Sequence, residues 1–175
     1  MKKILVAAFA LLIATGAFAQ DYKWFVGGGV GFWSAKKSGE KTTAFAIAPE
    51  VGYNVSDKFA VAASLRFESV KTGDNKFSGF VVNPYVRYTF AKTGILSAFI
   101  DGGASFGLSD YEGFEIGVKP GIAVAITERL SGVFHLGFVG YNDGKGYFSE
   151  YATAGKGFGL DFSGYQSSIG FYYSF

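Results

Sequence analysis

From Trp24 onward, apolar residues recur at every second position. That is the pattern of strands with one oily face and one small or polar face, not the 3.6-residue stripe of a helix. The alternation predicts eight strands, over residues 24–34, 44–54, 59–68, 77–90, 95–108, 114–126, 130–141 and 162–175. In the third, Phe59, Val61, Ala63, Leu65 and Phe67 share one face, and Ala60, Ala62, Ser64, Arg66 and Glu68 share the other. In the fourth, Phe80, Val82, Pro84, Val86, Tyr88 and Phe90 oppose Gly79, Val81, Asn83, Tyr85, Arg87 and Thr89. The sixth sets Phe114, Ile116, Val118, Pro120, Ile122, Val124 and Ile126 against Glu115, Gly117, Lys119, Gly121, Ala123 and Ala125. The second, fifth and seventh follow suit, with Glu50, Asp101 and His135 on the small-and-polar face. No ionisable residue of these strands falls on the apolar face.

The connections alternate in length. Residues 55–58, 91–94 and 127–129 are tight polar turns, and residues 35–43, 69–76, 109–113 and 142–161 are longer polar segments. A repeat marks the hairpins: Pro49-Glu-Val-Gly-Tyr, Pro84-Tyr-Val-Arg-Tyr and Pro120-Gly-Ile-Ala-Val each precede a tight turn. Proline removes a ladder donor, so a bulge is expected at each.

Two architectures produce such alternation. A soluble sandwich or lipocalin-like barrel turns its oily face inward, whereas a transmembrane barrel turns it to lipid and keeps the polar face in the lumen. The second is favoured on three grounds. The polar face is rich in Gly, Ala and Ser, as a narrow eight-stranded interior requires. Aromatics gather towards the strand ends: Trp24, Tyr53, Phe59, Phe90, Tyr173 and Phe175 at one rim, and Phe32, Trp33, Phe67, Phe80, Phe106, Phe114 and Phe138 towards the other. The chain also stops within a strand. A basic residue facing lipid at mid-depth costs about 2–4 kcal/mol. Arg87 and Lys119 must therefore face the lumen. The fold class expected is all-β, an eight-stranded antiparallel up-and-down transmembrane barrel.

The first residues belong to another class. Met1-Lys2-Lys3 is basic, an apolar run follows from Ile4 to Ala14, and Ala17-Phe18-Ala19 is a small-x-small cleavage site. This reads as a cleavable signal peptide over 1–19, leaving a barrel domain over 20–175. The run is shorter than the roughly 18–20 apolar residues of a membrane helix. Among 175 residues there is no cysteine, and the formal charge is only +2. Disulfides, thiolate chemistry and zinc knuckles are thereby excluded, and no basic cluster suggests nucleic acid.

The signal peptide, the proline-led hairpin units and the terminal strand resemble the small outer-membrane β-barrel-domain family, the OmpX- and OmpW-like proteins loosely called the porin family. The resemblance implies location in the outer membrane of a Gram-negative cell, with periplasmic termini. It also implies contact with outer-membrane lipid, and with periplasmic chaperones and the barrel-assembly machinery during biogenesis. The family's last strand is an assembly signal ending in Phe with alternate aromatics. Tyr165, Ile169, Phe171, Tyr173 and Phe175 match it, and Ser167 departs.

The candidate site is a structural one, a lumen charge network of Glu50, Arg66, Glu68, Arg87, Asp101, Glu115, Lys119 and His135. His135 is the only histidine, which disfavours a histidine metal site. Small barrels that modify lipid A use nucleophile–base pairs, so a Ser/His/acid site resting on His135 is weighed, and a histidine held in a polar network is preferred. The glycine runs Val26-Gly-Gly-Gly-Val-Gly and Ala154-Gly-Lys-Gly-Phe-Gly lack phosphate-loop spacing. No cofactor, metal or catalytic residue is expected, and no enzyme. The functional expectation is an envelope-stabilising or adhesive barrel whose loops meet an extracellular ligand and whose lumen is closed by its charges. The alternatives are a small channel for hydrophobic or small solutes and, behind it, a lipid A-modifying enzyme.

Overall fold

The computed structural model describes residues 22–37, 40–73, 75–109, 113–143, 157–162 and 168–175. The leader segment and Tyr165 lie outside them. Ten strands appear in chain order: β1 (Trp24–Lys37), β2 (Glu40–Asn54), β3 (Phe59–Thr72), β4 (Asn75–Thr93), β5 (Leu96–Ser109), β6 (Gly113–Ala125), β7 (Leu130–His135), β8 (Phe138–Asn142), β9 (Gly157–Asp161) and β10 (Ser168–Ser174). All neighbours are antiparallel. β7 with β8, and β9 with β10, each make one interrupted stave, so the architecture is a closed eight-stranded barrel sealed by β1 against β10.

The strands overrun the expected loops. β1 and β2 pair up to Lys37↔Glu40, and β3 and β4 up to Thr72↔Asn75. Thr42, Thr43, Val70 and Thr72 are β-branched, a residue type that favours strands over loops. Charge alone does not end a strand. The chain turns only at Gly73, with φ 57°, a left-handed conformation that glycine adopts without a Cβ clash. Gly94, with φ 55°, does the same at the opposite rim. Residues 157–161, expected as loop, form β9 against β8.

Pro49 and Pro84 do not make the bulges expected of them, whereas Pro120 has one opposite it. Pro49 pairs with Gly28, Pro84 with Ala63 and Pro120 with Ile100, each in unbroken register with the preceding stave. Towards the following stave the ladder skips. β2–β3 passes from Ile47↔Phe67 to Glu50↔Ser64, and β4–β5 from Val82↔Phe106 to Tyr85↔Gly103, with the register unchanged. At Pro49 and Pro84 the missing N–H therefore removes rungs on one side without inserting a residue. Register shifts lie between Thr89 and Ala91 on β4 and, opposite Pro120, at Leu136-Gly137 between β7 and β8, where Gly121↔His135 gives way to Val118↔Val139. At the latter, Leu136 N–H donates to the Pro120 carbonyl at 2.9 Å.

Outward and inward faces follow the strand parity. Leu65, Val86, Ile116 and Ile122 are exposed, whereas Ala60, Arg87, Glu115 and Gly121 are buried. The side chains of Phe32 and Trp33 lie outside those described, and among the described rim aromatics two depart. Phe138, expected outward, is 6% exposed and faces the lumen, because the extra residue at 136–137 reverses the alternation. Phe175 is 8% exposed, tied to Trp24 by paired backbone bonds of 2.9 and 3.1 Å.

The lumen is not simply small and polar. Near the short-turn rim, Phe25, Ala60, Phe99, Val133 and Tyr172 form a buried apolar cluster. Four inward rings lie opposite a glycine: Phe25↔Gly52, Phe99↔Gly121, Tyr172↔Gly27 and Tyr85↔Gly103. A methyl added at Gly52 would run into the Phe25 ring. These glycines make room for rings; they do not leave the space empty. Gly52→Val should destabilise the refolded barrel by about 1–3 kcal/mol in denaturant unfolding, as overpacking does. Adding Phe25→Ala should recover part of that loss, and purely additive effects would show that the two positions do not share the space.

Candidate functional site

Above the aromatic floor, inward residues of β4, β5, β7 and β10 meet at Arg87 and Asp101. The two are opposed in the β4–β5 register, and both are buried, at 8% and 4% exposure. Arg87 Nε and Nη2 donate to the two Asp101 oxygens at 2.7 Å each. This is the two-pronged geometry that suits a guanidinium to a carboxylate. Arg87 also lies 3.9 Å over the Phe99 ring and donates to the Tyr172 hydroxyl at 3.2 Å. The apolar floor and the ionic layer are thus joined through one side chain.

His135 extends the layer. Its Nε2 is 2.8 Å from Asp101 Oδ2 and its Nδ1 3.1 Å from Ser168 Oγ. On the other side, the Tyr85 hydroxyl donates to the Glu50 carboxylate. A second group is centred on Glu115, which is 2% exposed. Its Oε1 accepts from Lys119 at 2.8 Å and from Ser105 at 3.0 Å, and Ser105 is bridged to Asn83 at 2.8 Å. Arg66 and Glu68 pair at 2.9 Å two residues apart on one strand face.

All eight lumen residues anticipated by parity therefore face inward, in three adjoining groups. Tyr85, Asn83, Ser105, Ser168 and Tyr172 were not singled out as partners. Tyr85 and Asn83 already stood on the polar face of the fourth strand, so parity held the signal. Ser168 and Tyr172 depended on knowing where the last stave meets β7. Of the terminal-strand residues, Ile169, Phe171 and Tyr173 point outward and are exposed, Phe175 is buried, and Tyr165 is outside the described residues.

The groups surround a cavity of about 170 Å³, bounded by Glu50, Asn83, Asp101, Glu115, Lys119 and His135 among others. It has room for several waters. Ser168, His135 and Asp101 have the atom types of a nucleophile–base–acid chain. Asp101, however, gives both oxygens to Arg87, so the histidine shares a carboxylate already neutralised by a guanidinium. The arrangement is first a satisfied polar network. Among the described residues, no group of His, Asp and Glu gathers as metal ligands do.

No protein-family model matches the chain, and no curated protein matches its sequence. The reading of the site therefore stands on its geometry.

Replacing Arg87 with Met leaves Asp101 buried with one cation partner fewer. The expected loss is about 3–5 kcal/mol of unfolding free energy, the usual cost of orphaning one member of a buried pair. Arg87→Met combined with Asp101→Asn should lose clearly less than the sum of the single changes. Strict additivity in a double-mutant cycle would deny the coupling.

Proposed function

We propose that this chain is an integral outer-membrane β-barrel with a structural and surface-presenting role in a Gram-negative envelope. Residues 1–19 act as a removable leader, and the short-turn rim faces the periplasm. One observation carries the reading. Between the aromatic rims, every outward strand residue among the described residues is aliphatic, aromatic, Gly, Ala or Pro, and large side chains such as Leu65, Phe80, Val86, Ile116, Ile126 and Phe171 stand exposed around the barrel. Soluble proteins rarely expose a contiguous apolar patch beyond roughly 300–600 Å², and a band encircling the molecule is suited to acyl chains.

The same arrangement favours a closed lumen. Rings fill the short-turn end, and paired charges occupy the middle. The rest of the described residues form wall, rim and long hairpins, which suits envelope support and contact with outside surfaces, with no cofactor and no catalytic step. The outward Ile169, Phe171 and Tyr173 also suit recognition of the last strand by an assembly machinery. A second reading, a narrow conduit for small or apolar solutes, draws on the cavity of about 170 Å³ beside Glu115 and His135.

Leu65→Lys separates lipid from water as the surroundings of the outer face. Leu65 is 45% exposed, so in a soluble barrel the change is nearly neutral. In a bilayer it should cost about 2–4 kcal/mol, measured by refolding equilibria in vesicles. The wild-type chain should sediment with outer-membrane fractions of a Gram-negative host and show no single-channel steps in planar bilayers. Recovery of the mature chain in the soluble periplasm would remove the membrane reading, and steady conductance would favour the conduit.

A further inference from the structure

Among the described residues, the wall of the barrel is least paired where it closes. The β1–β10 ladder holds from Phe25↔Ser174 to Gly28↔Phe171 and stops there, whereas β1 and β2 pair from Trp24↔Tyr53 to Lys37↔Glu40. β10 reaches Ser168 and β1 reaches Lys37, so beyond Gly28 the described strands run on with no ladder between them. They are still close at the point of parting. A methyl at Gly29 would lie 2.8 Å from the Ile169 carbonyl, and one at Gly170 would lie 3.0 Å from that of Gly28. With glycine on both strands, the wall here is bare backbone.

Two spaces meet at this seam. Inside is the cavity beside Glu115. Outside runs a groove of about 400 Å³ between Val30, Ile47, Pro49 and Phe171. Gly28, Gly29, Ala48 and Ile169 line both. The groove is apolar and the cavity is ionic, and the excess ionic group is acidic. The inward ionic groups are Glu50, Glu68, Asp101 and Glu115 against Arg66, Arg87 and Lys119, with His135 beside them. Asp101 is satisfied by Arg87 and His135. Glu115 is not: its Oε1 is bonded twice, and its Oε2 has no hydrogen-bond partner among the described residues. A buried carboxylate oxygen left without a donor is costly, and a ligand that brings one relieves that cost.

We propose that the β1–β10 seam is a lateral binding site for a single-chain amphiphile with a primary ammonium head, the head entering the cavity to meet Glu115 and the chain lying in the outer groove. The proposal rests on the reading of the outer face as lipid-facing, since the groove then opens onto acyl chains. The ligand is held across a wall made thin by Gly28, Gly29 and Gly170. It needs no axial pore, and the aromatic floor of Phe25 and Phe99 stays closed beneath it.

The test is titration of the refolded barrel in nonionic micelles, with micelle blanks subtracted, using dodecylamine, dodecanol and butylamine. Dodecylamine should bind at least ten-fold more tightly than either, because only it has both head and chain. Glu115→Gln should lower dodecylamine to the level of dodecanol without changing dodecanol. Ile169→Trp and Val30→Trp, two separate ways of filling the groove, should each weaken dodecylamine at least ten-fold, and Val55→Trp in a turn at the opposite rim should not. Heat-modifiable electrophoretic mobility reports which variants are folded, and Val30→Trp serves if Ile169→Trp does not refold. Equal binding of the amine and the alcohol, or an amine preference that survives Glu115→Gln, would overturn the head-group assignment. Binding untouched by either tryptophan would overturn the groove. Micelles hold the barrel wherever it resides in the cell, so failure here is distinct from failure of the membrane reading, which fractionation and Leu65→Lys report.

Discussion

A guanidinium cut off from bulk water must find a carboxylate, and in this barrel the meeting of Arg87 with Asp101 organises the interior. The two-pronged contact, at 2.7 Å for each prong, fixes the level at which β4 and β5 face each other. From it the histidine on β7, the tyrosine on β10 and the ring of Phe99 take their places. Breaking a buried pair is far costlier than never having had one. That asymmetry specifies one closed arrangement of staves over others with the same oily exterior.

Around this pair the barrel is built in layers. Phe25, Phe99 and Tyr172 fill the short-turn end, each set against a glycine across the register. The charges occupy the middle, and a cavity lies among them at the level of Glu115. Aromatic rings seated on cross-strand glycines let a narrow interior be filled without straining the wall. The same economy of side chains thins the wall at Gly28 and Gly29, where inner cavity and outer groove come together.

The three prolines make a related point. Each is fully paired towards the stave before it, and each costs rungs towards the stave after it. At Pro49 and Pro84 a residue without an N–H is tolerated mid-sheet because the register survives on both sides, whereas at Pro120 the following stave takes up one extra residue. The bulge that matters is at Leu136-Gly137, opposite Pro120. It turns Phe138 from the outer rim into the lumen, where the ring packs beside Gly117 and Gly140.

The sequence by itself determined the period of two, the eight staves, the short and long rims, and the inward placement of Glu50, Arg66, Glu68, Arg87, Asp101, Glu115, Lys119 and His135. All of these follow from parity, which is local and survives errors of a few residues at strand ends. Only the tertiary structure decided which inward groups meet. Asp101 is shared between Arg87 and His135, Glu50 goes to a tyrosine, and Ser168 reaches His135. These contacts depend on the stagger of staves distant in sequence and on where the last stave closes on the first. The bulge at 136–137, which reverses Phe138, was equally hidden, because one inserted residue changes a side chain's face without changing the pattern around it. The seam is the extreme case: its open ladder exists only once β1 and β10, at opposite ends of the described chain, are brought side by side.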